Sequence, residues 1–371
     1  MAIKKTLMAA GLGMLCMADA AEAQDLSLYG VVDTGLAWTR LSGKGSQTGV
    51  LGAGQTDSLW GLRGTEEIGT RTRATFSLES GFDPATGSLT EERRLFNYGA
   101  WVGLAHDDLG ELRLGRQRMV AQQFGNVLEI AGWKSFGLGA TLKASDEYQF
   151  SNVVTYLSPT LHGWQAGTSY SFSASENAGF PTRENTRASS SGVRFEEGPF
   201  YATLTHDRLW TGLPGAQAPR SPRAWQAGAS YDFDVVKVAL GWSRQQNGYV
   251  GLNGADFTPA GATGVALAGL GPAELVDGGH IDAWYVGASI PWGHGSLMAQ
   301  ASLAQPNWTW RQTGKRARQS QVYTVGYAYP LSKRTSLYAY AGRMHNQDLE
   351  DGVAADNPQV ARVGAGLTHY F

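Results

Sequence analysis

Cysteine is nearly absent from this chain. Its 371 residues hold a single thiol, Cys16, within the first two dozen positions, so no disulfide framework supports the fold. Long hydrophobic runs are missing too. Beyond the N-terminal segment nothing approaches the roughly 20 apolar residues that a membrane helix needs. The best internal candidate, Gly261 to Gly271, is a short Gly/Ala run expected to form a loop. The seven histidines are scattered singly from His106 to His369, which offers no metal-ligand spacing. No G-x-S-x-G elbow, H-E-x-x-H helix or P-loop occurs, so the commonest hydrolase, metalloprotease and nucleotide-binding signatures are excluded. Neither sign of charge dominates: 30 basic residues face 32 acidic ones, a net −2. That balance gives no support for nucleic-acid binding. Neither an enzyme nor a cofactor is expected.

What the chain does have is glycine, 49 residues of it, and 11% aromatics, on a mean hydropathy typical of a water-soluble protein. It opens on an export leader. Lys4 and Lys5 form a basic start, Thr6 to Ala18 an apolar core, and Ala21-Glu22-Ala23 a small-x-small cleavage site. Residues 1–23 are therefore expected to be removed, leaving one domain over 24–371. Cys16 follows Leu15, which is too large for a lipoprotein cleavage site. Removing the leader takes two lysines and two acids, so the net charge stays at −2.

Period-2 alternation runs through the mature chain. Leu26, Leu28, Val32, Leu36 and Trp38 fall on one face of a strand whose other face carries Tyr29 and Asp33. Trp164 to Phe172, Trp225 to Phe233 and Val236 to Trp242 repeat the pattern, each with Gly, Ser, Gln or charge on the alternate positions. At the end, Val363, Ala365, Leu367, His369 and Phe371 oppose Arg362, Gly364, Gly366 and Thr368. Propellers and sandwiches also have many short strands, but their cores need β-branched residues and leucine where this chain repeats Gly and Ser. An apolar face opposite a polar one suits strands with lipid outside and water inside.

Seven short turns are expected near Glu67–Gly69, His106–Leu109, Ser158–His162, Glu196–Pro199, Asp232–Asp234, Pro291–His294 and Ser332–Arg334. Eight longer loops, near Leu41–Thr56, Asp83–Glu92, Arg118–Glu147, Ala174–Arg187, Trp210–Pro222, Asn247–Gly279, Pro306–Arg318 and Gln347–Gln359, alternate with them. Fifteen connections join sixteen strands, which gives an all-β fold: a 16-stranded antiparallel transmembrane β-barrel. Both termini lie on the short-turn side, the periplasmic side of such barrels.

Several short motifs, in order along the chain, resemble Gram-negative general-diffusion porins of the beta-proteobacterial type. They are Leu28-Tyr29-Gly30-Val31-Val32-Asp33, Gly61-Leu62-Arg63-Gly64-Thr65-Glu66, Leu78-Glu79-Ser80-Gly81-Phe82 and Leu114-Gly115-Arg116-Gln117. Leu331 to Thr335 and the closing Val363 to Phe371 complete the series. The resemblance implies a homotrimer in the outer membrane, set among lipid and lipopolysaccharide, passing ions and small hydrophilic solutes. It also implies that the third extracellular loop, roughly Arg118 to Glu147, folds into the lumen; the equally long Asn247 to Gly279 would otherwise qualify. A C-terminal Phe in this family is part of the signal read by the outer-membrane assembly machinery, which assigns that role to Leu367, His369 and Phe371. The pattern departs from the family at Leu59 and Tyr98, where Arg is usual, and in the third loop, which lacks an acidic Pro-Glu-Phe-Gly-Gly tip.

In such a channel, charge in the narrow part decides which ions enter. Strand parity points Arg63, Arg73, Arg113 and Arg362 inward as a basic wall, and Glu129, Asp146 and Glu147 are the candidate acids of the third loop, diluted by Lys134 and Lys143. The bland alternative is that these charges only solvate the lumen. Trp38, Trp60, Trp242, Tyr323, Tyr327 and Tyr329 suit an aromatic girdle at headgroup depth, whereas Trp101 has lumen parity. A channel dedicated to a sugar or an organic anion is the other functional reading. A barrel hydrolase would need Ser and His clustered on the outer face, and an autotransporter a passenger or plug for which the chain has no room.

Overall fold

The computed structural model describes residues 25–43, 45–91, 94–133, 136–137, 149–174, 181–210, 220–247, 249–250, 265–267, 271–274, 278–307, 309, 316–345 and 359–371. Sixteen strands form the barrel. The first eight are β1 Asp25–Leu41, β2 Leu59–Gly69, β3 Thr72–Gly81, β4 Gly99–His106, β5 Gly110–Arg118, β6 Gln149–Leu157, β7 Trp164–Ser171 and β8 Arg187–Glu197. The second eight are β9 Phe200–Trp210, β10 Arg223–Asp232, β11 Lys237–Gln246, β12 His280–Trp292, β13 Gly295–Pro306, β14 Ser320–Pro330, β15 Thr335–His345 and β16 Gln359–Tyr370. Each pairs antiparallel with its neighbours in sequence, and β16 returns to β1 from Val31↔Tyr370 to Leu41↔Val360, so the barrel is closed. Closure removes the exposed edges that an open sheet cannot keep in lipid.

The burial pattern is that of a soluble protein turned inside out. Ser169, Ser190, Gln226 and Ser243 are buried, while Leu28, Leu104, Leu240, Val286 and Val325 are exposed. A propeller or sandwich would reverse this assignment. Among the described residues no helix is long and apolar enough to cross a membrane, which says nothing against strands.

Seven short turns and eight long loops alternate as expected, with local differences. The first turn sits at residues 70–71 because a register shift between Glu67 and Gly69 lets β2 continue to Gly69, with Arg71 at φ 62°. A bulge breaks the two-residue period on which the expected turn rested. The first long loop contains a strand, Gly45–Leu51, that pairs with the far half of β1. Within the Asn247–Gly279 loop, Tyr249–Val250, Val265–Leu267 and Gly271–Glu274 form a small three-stranded sheet, so the run expected to be only loop includes a strand. The leader lies outside the described residues.

The C-terminus completes the seam. Phe371 N donates to Gly30 O at 3.1 Å and Gly30 N donates to Phe371 O at 3.2 Å. The Phe371 ring occupies the space where a side chain at position 30 would project. His369 faces outward and its Nδ1 lies 2.9 Å from Thr335 Oγ1. Leu367, paired with Thr34 and Leu337, also faces outward.

Candidate channel constriction

The loop after β5 enters the lumen and runs along one wall. Its helix α1, Val120–Gly125, lies against β7 to β10. The backbone is then tacked down in strand order. Ala121 N donates to Ser190 Oγ of β8 (2.9 Å), and Tyr201 of β9 donates to Phe124 O (2.6 Å). Ile130 N donates to Tyr285 Oη of β12 (3.2 Å), while Gln300 of β13 and Thr324 of β14 both donate to Phe136 O (3.0 Å each). Trp133 stacks on Tyr340 of β15, ring centroids 5.5 Å apart. The Arg362 guanidinium of β16 sits 5.5 Å from the Phe136 ring centre.

This path has a cause in sequence. The loop's apolar side chains sit over inward-facing glycines: Phe124 and Val120 over Gly167, Leu128 over Gly228, Ile130 over Gly287, Trp133 over Gly326 and Phe136 over Gly342. A Cβ at Gly228 would lie 2.1 Å from Leu128 Cδ1, and one at Gly326 2.3 Å from Trp133 Cζ2. Strands β7, β10, β12, β14 and β15 thus each leave a gap at an inward glycine, and together these form a trough that the loop fills, with Leu128 and Trp133 fully buried. Contacts of this density exclude water and fix the loop.

The first long loop braces the third from the other side. Asp33 of β1, fully buried, accepts hydrogen bonds from Gly54 N (2.6 Å), Tyr338 Oη (2.9 Å) and Thr368 Oγ1 (2.6 Å). Gln55 N and Thr56 N approach the same carboxylate at 3.3 Å. Gln55, held this way, accepts a hydrogen bond from Trp133 N at 2.9 Å through its carbonyl.

The wall left uncovered is β1 to β5, and there the inward residues are long and charged. Arg63 is exposed over the Tyr29 ring (4.8 Å), and Tyr29 Oη donates to Glu79 at 2.6 Å. Arg113 lies over Trp101 (4.5 Å) and forms an ion pair with Glu111 at 2.6 Å. Arg73 stands at the short-turn rim, 2.8 Å from Asp107 in the next turn. The Arg73 hydrogen bond, aided by Arg71, holds the Asp107 carboxyl below the usual carboxylate range, so this pair stays charged until the pH falls through that lowered value. Arg362 is buried at the long-loop end, with Nε donating to Thr39 Oγ1 at 3.0 Å across the seam.

The four arginines expected from parity do share one sector, β16 through β5. They are spread along its depth, from Arg73 at one rim to Arg362 near the other, and do not form a ring. Glu129 folds back within its own loop beside Gly137. Asp146, Glu147, Lys134 and Lys143 lie outside the described residues. The sequence reading overlooked Glu79, Glu111 and Asp107, which interleave acid with base on the same wall. It also overlooked Arg194 of β8, which donates to Gln165 at 2.8 Å and covers Phe124 from 5.3 Å. Parity alone could have found Glu79, Glu111 and Arg194. Asp107 and the glycine trough needed the register of neighbouring strands.

The lumen therefore has a smooth, water-excluding side built from a folded loop and a wet side of alternating charge.

Comparison with known proteins agrees. A family model described as Gram-negative porin matches residues 6–349. An outer membrane porin protein of Bordetella pertussis is 34% identical over the full length of both chains, and outer membrane porin protein 32 of Delftia acidovorans is 28% identical over the same coverage. Among solved structures, an anion-selective porin from Comamonas acidovorans superposes with a TM-score of 0.69 at 24% identity, covering 94% of this chain and 99% of that one. The chain belongs to the Gram-negative outer-membrane porin family.

Proposed function

We propose that ions and small hydrophilic solutes diffuse passively between the inward loop and the charged wall of β1 to β5, with Arg63 and Arg113 at the narrow part. The carrying observation is the division of the lumen: the glycine-floored sector is filled by the loop, and the sector with long charged side chains is left to water. In this reading the protein is a homotrimer without enzymatic activity, exported by its leader. Both termini are periplasmic and the eight long loops extracellular. One structural relative, from Vibrio cholerae, is described as a trimer form.

Charges of both signs alternate on the open wall, so their fields cancel beyond about 8 Å, the screening length near physiological salt. The wild-type pore should discriminate weakly among ions. Replacing Arg63, Arg73 and Arg113 together by Ser strips the bases and leaves Glu79, Glu111 and Asp107 behind. In planar bilayers under a salt gradient, the reversal potential is expected to move toward cation preference; an unchanged potential sinks this assignment. Current closing in three equal steps supports the trimer, and absence of ion flux defeats the passage itself.

A dedicated organic-anion channel is the second reading. It is favoured by the guanidinium–aromatic pairs Arg63–Tyr29 and Arg113–Trp101 and by similarity to a structure described as anion-selective. Saturable block of single-channel current by one carboxylate solute would select it.

The C-terminal strand is proposed as the element read by the assembly machinery. Deleting Phe371 also removes the last backbone pair with Gly30. Heat-modifiable trimer in outer membranes is expected to fall severalfold, and normal levels would count against the role.

A further inference from the structure

The strand Gly45–Leu51 and β2 are two halves of one barrel strand. Both pair with the edge of β1 that β16 leaves free, the first from Leu41 to Gly35 and the second from Val31 to Asp25. Between the halves the seven residues 52–58 stand opposite only three, 32–34, so four are extra. An even surplus keeps the facing of both halves. Val50 above it pairs with the exposed Leu36, and Leu62 below it pairs with the exposed Leu28. An odd surplus would turn the apolar face of one half toward water. The wall therefore stays continuous toward lipid, and the extra residues leave the strand on the lumen side.

The excursion is pinned along its length. Thr34 Oγ1 donates to Leu51 O at 3.1 Å where it departs, and Phe82 N donates to Ser58 O at 3.0 Å where it returns. In between it crosses the inside of the seam, with the Gly54, Gln55 and Thr56 amides on the Asp33 carboxylate that Tyr338 of β15 and Thr368 of β16 also reach. Gly54 has no room for a side chain, because the Tyr338 hydroxyl fills that place. A Cβ at Gly132 of the third loop would likewise meet Gln55 O, the carbonyl that Trp133 N bonds. The excursion and the third loop thus meet end to end. Together they cover the lumen side from β7 round to the seam and leave the charged wall bare. Ala53, Gly54 and Ser58 are buried, whereas Gln55, Thr56 and Asp57 keep part of their surface exposed.

We propose that residues 52–58 form a second constriction element, a shelf carried by a barrel strand, and that Gln55 is a size-determining residue of the passage. The proposal rests on the reading that solutes pass between the inward loop and the charged wall. Three points carry it. The shelf abuts the third loop at Trp133, so it narrows from the seam side the same opening that the loop narrows from the far wall. Its backbone is held by a buried carboxylate and by both neighbouring strands, and only a fixed segment can set an aperture. Its part-exposed side chains are an amide, a hydroxyl and one acid, Asp57, which hydrogen-bonds to Tyr98. Gln55 and Thr56 therefore add bulk without adding charge. They limit the size of a solute, while Arg63 and Arg113 act on its charge, the two separable levers of a pore.

Single-channel currents in planar bilayers test this one molecule at a time, so the yield of folded protein does not enter. Gln55→Cys introduces a lone thiol, since the native Cys16 lies in the leader. A charged methanethiosulfonate reagent added to the open channel should then cut its current in discrete, irreversible steps. Val50→Cys, on the lipid face of the same strand, should give no steps. Removing Gly54 to Asp57 joins Ala53 to Ser58 and restores an unbroken register with β1. The excised channel should conduct more than wild type and admit a larger polyethylene glycol. Absence of steps in Gln55→Cys, or equal steps in both cysteine variants, overturns the proposal. So does an excised channel with the conductance and size limit of wild type; where the excised chain fails to assemble, the cysteine arm decides. A conducting wild type beside an insensitive Gln55→Cys sinks the shelf alone, whereas a silent wild type sinks the passage and the shelf with it.

Discussion

Replacing Asp33 by Ala is expected to release the first long loop from the lumen and to cost about 3–5 kcal/mol of barrel stability, the range for removing one partner of a buried charged network. The carboxylate is fully buried and every group aimed at it is a donor: the Gly54, Gln55 and Thr56 amides and the Tyr338 and Thr368 hydroxyls. Each donor left without an acceptor carries a desolvation penalty of roughly 1–3 kcal/mol, reduced where water can follow the loop as it lifts. The temperature at which the folded band converts on unheated gels should drop by many degrees, and residues 52–56 should become open to proteolysis. Asp33→Asn separates charge from shape. Its amide must present an N–H to one side of a cluster of donors; the two hydroxyls can rotate to accept, but the backbone amides cannot. An intermediate loss is therefore expected for Asn. A conversion temperature unchanged in Asp33→Ala would show that the first loop is held by its strand pairing with β1 alone.

Asp33 also shows what was legible in advance. Alternation placed it inward beside Tyr29, and the same alternation carried the strand number, the turn count and the inward direction of Arg63, Arg73, Arg113 and Arg362. These quantities depend only on whether consecutive residues face lipid or water, and the hydrophobic effect writes that difference directly into the sequence. What Asp33 binds was not legible, because its donors come from positions 54–56, 338 and 368. Those groups meet only when β16 closes on β1 and a loop folds back between them. The spacing along the wall failed for the same reason. Arg73 is two positions from Thr75 in sequence, yet its partner Asp107 belongs to the next turn. The register that joins them is that of β3 on β4, which counting within one strand does not give. The choice of the third loop as the inward one came from resemblance, although its physical reason was present as glycine on the inward faces of five strands.

That reason supplies the second large expectation. Adding methyl groups under the inward loop, as Gly228→Ala, Gly326→Ala and Gly342→Ala together, should push the loop into the passage and lower single-channel conductance. The added carbons would lie 2.1 Å from Leu128, 2.3 Å from Trp133 and 2.4 Å from Phe136, against an ordinary carbon–carbon separation of about 3.5–4.0 Å. At positions 228 and 326 the added carbon would also meet a strand carbonyl, Leu240 O at 2.7 Å and Ala339 O at 2.6 Å, so the ladder must give there too, whereas at position 342 the nearest atoms all belong to Phe136. The loop must move, by roughly 1–1.5 Å for normal contact to return, and overpacking of this kind costs about 1–3 kcal/mol per site. Moving it strains the bonds from Gln300 and Thr324 to Phe136 O, so channel noise should rise as conductance falls. A general loss of barrel stability would also reduce conducting protein, and a double-mutant cycle separates the two causes. If Gly342→Ala acts through the ring above it, then Phe136→Leu, which trims that ring, should restore conductance in the double variant while narrowing nothing by itself. Additive effects of Gly342→Ala and Phe136→Leu would mean that the inward glycines do not set the position of the loop.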